Sequence, residues 1–277
     1  MKLLIRAPFI ESERKRLEAY FDEIVYDPWT TTGERYYEDE MLEVLKKEQP
    51  DALITELDRV TEKVLNGYDK LIFIGDCRAN PANIDVEACK KANIPVLCTP
   101  ARNAQAVAEM LSGLLVSYMR NLVPAVQWIK DGKWVEGTTP YYTWMGNELC
   151  GKKVGFVGFG AVGKHAAKIL LPVLDSTKGM INADLFAKMK ETAIFVNTAR
   201  SAVVDEPALM EVLRNKKIRG AILDVLEVEP PTEEALEIAR LDNVLLTPHI
   251  CGATYEVTDH QSRILADRID AWMKENK

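Results

Sequence analysis

Residues 154–163 read Val154-Gly155-Phe156-Val157-Gly158-Phe159-Gly160-Ala161-Val162-Gly163. The apolar residues predict a strand over 154–158, and the glycines predict a tight turn into a helix over 164–171. A strand, a glycine turn and a helix in this order form a dinucleotide fingerprint, because the amides at the start of the helix can hold a pyrophosphate. We therefore expect a Rossmann nucleotide-binding domain, with cofactor contacts from Gly158, Gly160, Ala161, Val162 and Gly163.

The first hundred residues alternate between strand-like runs and amphipathic helical segments. Strands are predicted at 3–5, 24–26, 52–55, 71–74 and 95–98, and helices at 13–21, 38–47, 61–65 and 86–92. This alternation is typical of a parallel sheet wound with helices in the flavodoxin-like manner. The predicted fold class is therefore α/β, with two parallel-sheet domains.

A long helix over 104–120 leads into the second half of the chain, where strands are also predicted at 193–197, 221–225 and 244–247. The segment 128–149 lacks periodicity and contains three of the five tryptophans. It is either an ordinary surface loop or an arm that packs on a second subunit, since aromatic side chains are enriched at interfaces. The final helix, over 257–274, is expected to pack back on the first domain.

Composition and charge narrow the class of partner. The 277 residues are 47% hydrophobic with a net charge of −7, which predicts well-formed cores and argues against nucleic acid, because phosphate binding needs clustered Lys and Arg. The five cysteines form no CxxC pair, and we interpret them as reduced core thiols of a cytoplasmic protein without a metal site. The uncharged helical stretch 110–119 is too short to cross a membrane. A small metabolite is the expected partner.

Polar residues follow three predicted strands of the second domain. Arg200 ends the motif Asn197-Thr198-Ala199-Arg200, Glu229 follows the strand that ends near Asp224, and His249 follows Thr247-Pro248. The carboxyl ends of parallel strands form the ligand-binding edge of such a sheet. We therefore expect these three motifs to lie together.

These residue types suit the interconversion of a 2-oxo acid and a 2-hydroxy acid. Arg200 can hold the carboxylate through two parallel hydrogen bonds. His249 can donate a proton to the carbonyl oxygen during reduction and accept it during oxidation, because histidine titrates near neutral pH. Glu229 can fix the tautomer of His249 and favour the imidazolium. Together with the fingerprint, they predict hydride transfer coupled to proton transfer.

The four motifs at 158–163, 197–200, 224–230 and 247–254 resemble those of the D-isomer-specific 2-hydroxyacid dehydrogenases, and are most similar to the phosphoglycerate dehydrogenase-like branch. The resemblance covers nearly the whole chain. It implies NAD as cofactor, a small D-2-hydroxy acid or 2-oxo acid as substrate, and Arg200, Glu229 and His249 as catalytic residues. It places Asp224 at the nicotinamide carboxamide, with further cofactor contacts from Thr198, Ala199 and Gly252.

The same resemblance implies a domain organisation. Residues 1–100 and 256–277 would form a split, flavodoxin-like substrate domain, and residues 101–255 the nucleotide-binding domain with its connector helix and dimerisation arm. A homodimer is expected, which favours the interface interpretation of 128–149. The rival hypothesis is a catalytically weak NAD(H)-binding or corepressor-like module of the same fold.

The substrate loop of the family corresponds to residues 75–81, where this chain departs from the common pattern. Common members have a glycine-valine-glycine run where this chain has Ala79-Asn80, preceded by Arg78. The amides of Ala79 and Asn80 can still hold a carboxylate. Arg78 either reaches an anionic or polyhydroxylated tail of the substrate or forms a surface ion pair, and Arg102 has the same two interpretations. The sequence leaves open which acid is used.

One part of the nucleotide fold is missing from the sequence. The fold requires a second strand and an acidic residue about 20 residues after the fingerprint, which holds the adenosine ribose. No complete strand fits there, so two strand-helix units, on the order of 60 residues, are absent near 170–172, and NADP is not excluded as cofactor. A real deletion would leave buried backbone groups of the sheet without partners, so we hypothesise that the molecule carries a segment that this sequence omits. The alternative is a true deletion. If the segment exists, consecutive Cα atoms between Ile169 and Val173 should lie farther apart than the usual ~3.8 Å.

Overall fold

The computed structural model describes residues 1–149, 151–156, 159–170, 182–198, 201, 204–233 and 235–276, with the backbone alone for 167–170. Contacts between Cα atoms divide the chain into two compact units. Unit 1 consists of Met1–Asn103 and Thr254–Lys277, and unit 2 consists of Ala104–Ala253.

Helices and strands alternate through most of the chain. The strands are β1 (Lys2–Ile5), β2 (Glu23–Tyr26), β3 (Ala52–Thr55), β4 (Phe73–Asp76), β5 (Val96–Cys98), β6 (Ile194–Asn197), β7 (Gly220–Leu223) and β8 (Val244–Leu246). The helices are α1 (Glu11–Leu17), α2 (Glu38–Glu48), α3 (Glu62–Gly67), α4 (Val86–Lys91), α5 (Ala104–Met119), α6 (Leu122–Lys130), α7 (Pro140–Thr143), α8 (Ala161–Leu170), α9 (Ala183–Ala187), α10 (Glu206–Arg214) and α11 (Glu256–Glu275). Short 3-10 helices occupy Trp29–Thr31 and Ala235–Arg240.

The sheet of unit 1 has five parallel strands in the order β2-β1-β3-β4-β5. This flavodoxin-like order confirms the fold class predicted for the first part of the chain. Both faces of the sheet are buried: Leu3 and Ile5 of β1 belong to one hydrophobic cluster, and Leu4 belongs to another. Burial on both faces explains why these strands are continuous apolar runs in the sequence.

Helix α11 packs on the sheet of unit 1, as predicted for the final helix. Its Leu265 and Ile269 are fully buried in the same cluster as Leu3 and Ile5. Gly75 in β4 permits this close approach, because a Cβ at that position would lie only 2.9 Å from a methyl carbon of Leu265. The C-terminal helix therefore completes the core that the first strands begin.

The sheet of unit 2, in the part of the chain that the structure describes, has three parallel strands in the order β6-β7-β8. Helices α5 and α8 pack together over one face, where Ile222 of β7 is buried. Helix α10 covers the other face through Leu209 and Leu213. No helix among the described residues is both long and apolar enough to cross a membrane.

The prediction of a strand over 154–158 is wrong for the part that the structure describes. Residues 154–156 are not in a strand, Val154 is 38% exposed, and residues 157–158 lie outside the described residues. In the Rossmann order 3-2-1-4-5-6, the fingerprint strand is strand 1 and lies between strands 2 and 4. Strand 2 belongs to the strand-helix units that the sequence lacks. A segment that loses half of its ladder hydrogen bonds has little to hold it in a sheet.

Candidate active site

Strands of unit 2 end side by side at one edge of the sheet. In the register, Asn197 of β6 pairs with Leu223 of β7, which pairs with Leu246 of β8. The residues that follow on β7 and β8 are Asp224 and Thr247, and the Thr247 hydroxyl donates to Asp224 Oδ1 at 2.6 Å. For the described residues, the strand-end motifs therefore lie together, as the sequence predicts.

The side chains of Glu229 and His249 are in contact at this edge. Oε2 of Glu229 lies 2.7 Å from Nδ1 of His249, which is the contact expected from the sequence. The other carboxylate oxygen, Oε1, accepts a hydrogen bond from the Leu226 amide at 3.0 Å, which fixes the direction of the carboxylate. The His249 side chain is 48% exposed, so the ring remains accessible to a ligand.

The charge on Glu229 determines which nitrogen of the His249 imidazole carries the proton. Partial burial raises the pKa of Glu229, but the hydrogen bonds from His249 and from the Leu226 amide outweigh burial, and the pKa lies below its ordinary value. Glu229 is therefore ionised at neutral pH and accepts a hydrogen bond from the protonated Nδ1 of His249. This arrangement leaves Nε2 of His249 as the nitrogen that can exchange a proton with a ligand.

Asp224 is 2% exposed and holds the segment that carries His249. Besides the Thr247 hydroxyl, its carboxylate accepts hydrogen bonds from the amides of Ile250 and Cys251, each at 2.9 Å. Sequence reasoning assigned Asp224 to the nicotinamide carboxamide and missed these contacts. The available signal was that Asp224 and Thr247 both come directly after neighbouring parallel strands.

The described part of the fingerprint lies at the start of α8. This helix begins at Ala161, three residues earlier than predicted, and its first turn contains no acidic side chain. Among the described residues, no atom lies within 4 Å of a Cβ placed at Gly160, so the backbone there is open to a ligand. Ala161, Val162 and Gly163 form the first turn, and Gly158 lies outside the described residues. The start of α8 is thus suited to an anionic group.

Two of the three predicted catalytic residues, Glu229 and His249, are brought together. The third, Arg200, lies outside the described residues, as does the predicted cofactor contact Ala199. Thr198 directly follows β6 and is half-buried, and Gly252 is half-buried after Cys251.

Arg78, Ala79 and Asn80 follow β4 in unit 1. Ala79 and Asn80 are exposed, and Arg78 is half-buried. The carbonyl of Arg78 accepts a hydrogen bond from the Thr99 amide at 2.8 Å, which ties the start of the loop to the end of β5. Within the described ranges, the Arg78 guanidinium makes no hydrogen bond, so it is available to an anion.

Other candidates have structural partners. Arg102 donates to Glu56 at 2.5 Å and also to Gln261, which agrees with its ion-pair interpretation. Nδ1 of His165 lies 2.8 Å from a carbonyl oxygen of its own helix, and Nδ1 of His260 lies 3.0 Å from the carbonyl oxygen of Arg102. These contacts account for both histidines without a catalytic role.

Asp76, the last residue of β4, was not predicted as a candidate. It is fully buried, and neither carboxylate oxygen accepts a hydrogen bond of normal geometry. Burial raises the pKa of Asp76 to about 7, and the charge of Arg78 and the nearby Asn83 side chain offset this effect only in part. The signal in the sequence was an acidic residue within the loop 75–81, directly after an apolar run.

Cysteine chemistry and metal binding are not indicated by the described residues. Cys77, Cys89, Cys98 and Cys251 are free thiols, and burial raises the pKa of Cys251 to about 12, with nearby Asp224 adding to the effect. Within the ranges that the structure describes, no group of three or more His, Cys, Asp or Glu side chains is placed to hold a metal ion.

Comparison with known proteins finds relatives named as 2-hydroxyacid dehydrogenases and 2-oxo acid reductases. The putative 2-hydroxyacid dehydrogenase YoaD of Bacillus subtilis (strain 168) is 42% identical, with 99% of this chain and 92% of that protein covered. The hydroxypyruvate reductase of Thermotoga maritima is 32% identical, with 88% and 90% covered. A putative D-isomer specific 2-hydroxyacid dehydrogenase from Polaromonas has the same fold, with a TM-score of 0.81 at 23% identity over 99% of this chain and 97% of that one.

These comparisons also bear on the missing strand-helix units. The alignment with the B. subtilis protein extends over 315 residues whereas this chain has 277, so at least 38 aligned positions face gaps in this chain. The family model matches in two pieces, residues 112–173 and 169–251, which meet where the units are predicted to be absent. The predicted Cα separation between Ile169 and Val173 lies outside the described residues.

The matching family model is the NAD binding domain of the D-isomer specific 2-hydroxyacid dehydrogenases, and its two matched pieces together span residues 112–251. That range is half of the chain, and the two relatives, at 42% and 32% identity, align with 99% and 88% of the whole chain. The resemblance inferred from the four motifs is therefore confirmed, and the chain belongs to the D-isomer specific 2-hydroxyacid dehydrogenase family.

Proposed function

We propose that this protein is an NAD(H)-dependent dehydrogenase that interconverts a small D-2-hydroxy acid and its 2-oxo acid, with His249 as the acid/base. The observation that carries the proposal is the 2.7 Å contact between Glu229 Oε2 and His249 Nδ1, in a chain of this family. Glu229 keeps Nδ1 protonated and stabilises the imidazolium. In reduction, His249 Nε2 delivers its proton to the carbonyl oxygen of the 2-oxo acid; in oxidation, it accepts the proton from the hydroxyl.

The described residues fit a nicotinamide dinucleotide at its phosphates. The open backbone at Gly160 and the first turn of α8 suit the pyrophosphate, with Thr198 and Gly252 as further cofactor contacts. When bound, the nicotinamide supplies or accepts the hydride at carbon 2 of the acid. A parallel assay with NADH and NADPH tests the choice of NAD, because the adenosine ribose is the group by which the two differ.

The substrate carboxylate needs a fixed donor set. We assign it to Arg200 and to the amides of Ala79 and Asn80, and we assign the distal part of the substrate to Arg78, whose guanidinium makes no hydrogen bond within the described residues. An anionic or polyhydroxylated tail suits this arginine. Hydroxypyruvate, the substrate named for the T. maritima relative, carries such a hydroxyl group.

Steady-state oxidation of NADH with a panel of 2-oxo acids tests the activity. We expect turnover with at least one acid and a loss of kcat of about 10²- to 10⁴-fold in His249→Ala, because that is the usual contribution of positioned proton transfer. Arg200→Ala should in addition raise KM for the 2-oxo acid. Unchanged turnover in His249→Ala at neutral pH would contradict the assignment.

The second candidate function is a catalytically weak module that binds NAD(H) without turnover. The observation that favours it is the fingerprint segment, which forms no strand over its described residues 154–156. Fluorescence titration with NADH separates the two functions, since binding without turnover on any 2-oxo acid supports the module. An intact mass of 31.2 kDa for the protein from its source would establish the deletion as real and favour the module, whereas a heavier protein would carry the missing units.

We further propose that the protein is a homodimer of the cytoplasm. Helix α6 exposes a row of apolar side chains that water does not favour: Leu122, Val123, Val126 and Ile129. A second copy of this chain is the partner that the family resemblance implies for this face and for the arm at 128–149. The free thiols among the described cysteines support a reducing compartment.

A further inference from the structure

We propose that Thr247 and Asp224 act together as positioning residues that aim the imidazole of His249, an inference that rests on the proposed acid/base role of His249. The pair is called the clasp below, and consists of the Thr247 hydroxyl and the Asp224 carboxylate. Thr247 has no role in the functional assignment made from the sequence, and Asp224 was assigned only to the cofactor. The structure gives both residues a different task.

The backbone of His249 is in an uncommon conformation. Its φ is +54°, in the left-handed region that residues with a side chain seldom occupy. Such a conformation persists only where the surrounding contacts determine it, and it is frequent at functional sites. The side-chain direction of His249 follows from this backbone, so whatever holds the backbone also aims the ring.

The clasp supplies contacts on both sides of His249. Before it in the chain, the Thr247 hydroxyl donates to Asp224 Oδ1 at 2.6 Å, and the His249 amide donates to the Thr247 carbonyl at 3.0 Å. After it, the amides of Ile250 and Cys251 donate to Oδ1 and Oδ2 of Asp224, each at 2.9 Å. The Asp224 carboxylate thereby holds residues 247, 250 and 251 close together. The backbone at His249 has to form a tight turn between them.

Asp224 is well suited as a fixed point. It directly follows β7, its amide donates to the Asn197 carbonyl of the neighbouring strand at 2.9 Å, and only 2% of the residue is exposed. Glu229 follows the same strand five residues later and contacts the ring at Nδ1. The positions of Glu229 and His249 are therefore both fixed relative to the end of β7. Glu229 follows this strand in the chain, and His249 is held there by the clasp.

The clasp also limits the cofactor role of Asp224. A carboxylate has about four lone-pair positions, and three hydrogen bonds are already accepted from within unit 2. The Cys251 thiol also contacts this carboxylate, so little of it is left for a carboxamide. Thr247 is the better residue to vary, because removing its hydroxyl leaves the Asp224 carboxylate in place. Besides the Asp224 contact, this hydroxyl has a longer contact, 3.4 Å, to the Leu223 carbonyl oxygen.

The test compares Thr247→Val, which removes the hydroxyl at nearly constant shape, with the conservative Thr247→Ser. We expect kcat to fall about 10- to 100-fold in Thr247→Val, the scale of a small misplacement of a reacting group, with KM for NADH changed less than about twofold. Thr247→Ser should retain most of the activity. In the His249→Ala background, Thr247→Val should have no further effect on kcat, because no imidazole is left to aim.

Equal damage from Thr247→Ser and Thr247→Val, or an undiminished effect of Thr247→Val in the His249→Ala background, would overturn the proposal, since either result indicates a general structural role. A readout independent of turnover is the NMR spectrum of the imidazole nitrogens, which is assignable because the chain has three histidines. Thr247→Val should shift the Nδ1 signal of His249 and speed exchange of the Ile250 and Cys251 amides. If the unchanged protein turns over no 2-oxo acid, the proposed function fails and the clasp is still tested by NMR. If the NMR signals of Thr247→Val equal those of the unchanged protein, the clasp is refuted.

Discussion

Glu229 makes two hydrogen-bonded contacts that together stabilise its negative charge. Its carboxylate lies between the Leu226 amide and the His249 ring, and its pKa lies below the ordinary value although burial works in the opposite direction. The contribution of this group to stability is present at neutral pH and is lost only as the pH falls through the lowered pKa. Across the range where a dehydrogenase works, Glu229 therefore stays charged and the tautomer of His249 is constant.

Glu229→Gln tests this role. The amide keeps the shape but removes the negative charge, so the imidazolium formed in oxidation loses its stabilisation. We expect kcat for oxidation of the 2-hydroxy acid to fall roughly 100-fold, with little change in KM for NAD. The matched control is Glu227→Gln, an exposed carboxylate two residues away, which should leave kcat unchanged. A Glu229→Gln enzyme with normal kcat would contradict the assignment.

Asp76 predicts an unusual pH dependence of stability. Burial raises its pKa to about 7 in the folded chain, whereas an unfolded aspartate titrates near ~3.9. A raised pKa means that the folded state holds its proton more tightly. This contribution is complete below about pH 4, declines as the pH rises towards 7, and is constant above that value.

Asp76→Asn removes the titrating group at nearly the same volume. We expect the variant to gain stability relative to the unchanged protein between about pH 4 and pH 7, by up to about 4 kcal/mol, since a tenfold change in an equilibrium is worth about 1.4 kcal/mol. Urea unfolding at pH 5 and pH 8 measures the difference. The exposed Asp69→Asn is the control, and its stability should follow that of the unchanged protein. A constant gap between Asp76→Asn and the unchanged protein would refute the raised pKa.

Among the elements, β7 is the one on which the site depends. It is the middle strand of the described sheet of unit 2, all four of its residues are buried, and both Asp224 and Glu229 follow it. Its first residue, Gly220, lies against the Tyr118 hydroxyl of α5 and the Asn243 carbonyl that precedes β8. The Tyr118 hydroxyl donates to that same carbonyl at 3.0 Å. Helix α5 is thereby locked to the start of the strand.

Gly220→Ala tests how tightly this contact is packed. A Cβ at Gly220 would overlap both the Tyr118 hydroxyl and the Asn243 carbonyl oxygen, so we expect a loss of about 1–3 kcal/mol, the usual cost of overpacking a core. Urea unfolding measures the loss. The double variant Gly220→Ala/Tyr118→Phe should remain destabilised, because the Asn243 oxygen belongs to the backbone and cannot move aside. Recovery to the stability of Tyr118→Phe would show that the hydroxyl alone is the obstacle.

At the level of the assembled protein, α6 carries a row of exposed apolar side chains, Leu122, Val123, Val126 and Ile129. Val126 and Ile129 are 42% and 50% exposed, a costly arrangement for a helix that remains in water. We expect sedimentation of the unchanged protein to give a dimer and that of Val126→Glu/Ile129→Glu to give a folded monomer. Lys217→Glu, which places the same charge at an exposed position of unit 2, should remain dimeric. A dimer that survives both substitutions would place the interface elsewhere.

The predictions made from sequence were best where a local pattern has one physical cause. Strand β3 has the predicted bounds 52–55, because three apolar residues and a β-branched threonine, all buried, form a run that needs no distant information to be recognised. The strand-end positions of Asp224, Thr247 and His249 were predictable for the same reason, since parallel strands bring their carboxyl ends to one edge.

Tertiary contacts decided the remaining features. The three hydrogen bonds accepted by Asp224 join residues more than 20 positions apart, and no local sequence pattern encodes them. The left-handed backbone of His249 is likewise not encoded by a local pattern. The burial of Asp76 depends on strands and loops that close around it. Residues 154–156, whose local pattern is that of a strand, form none, because strand formation requires a neighbour and a strand's own sequence does not supply one.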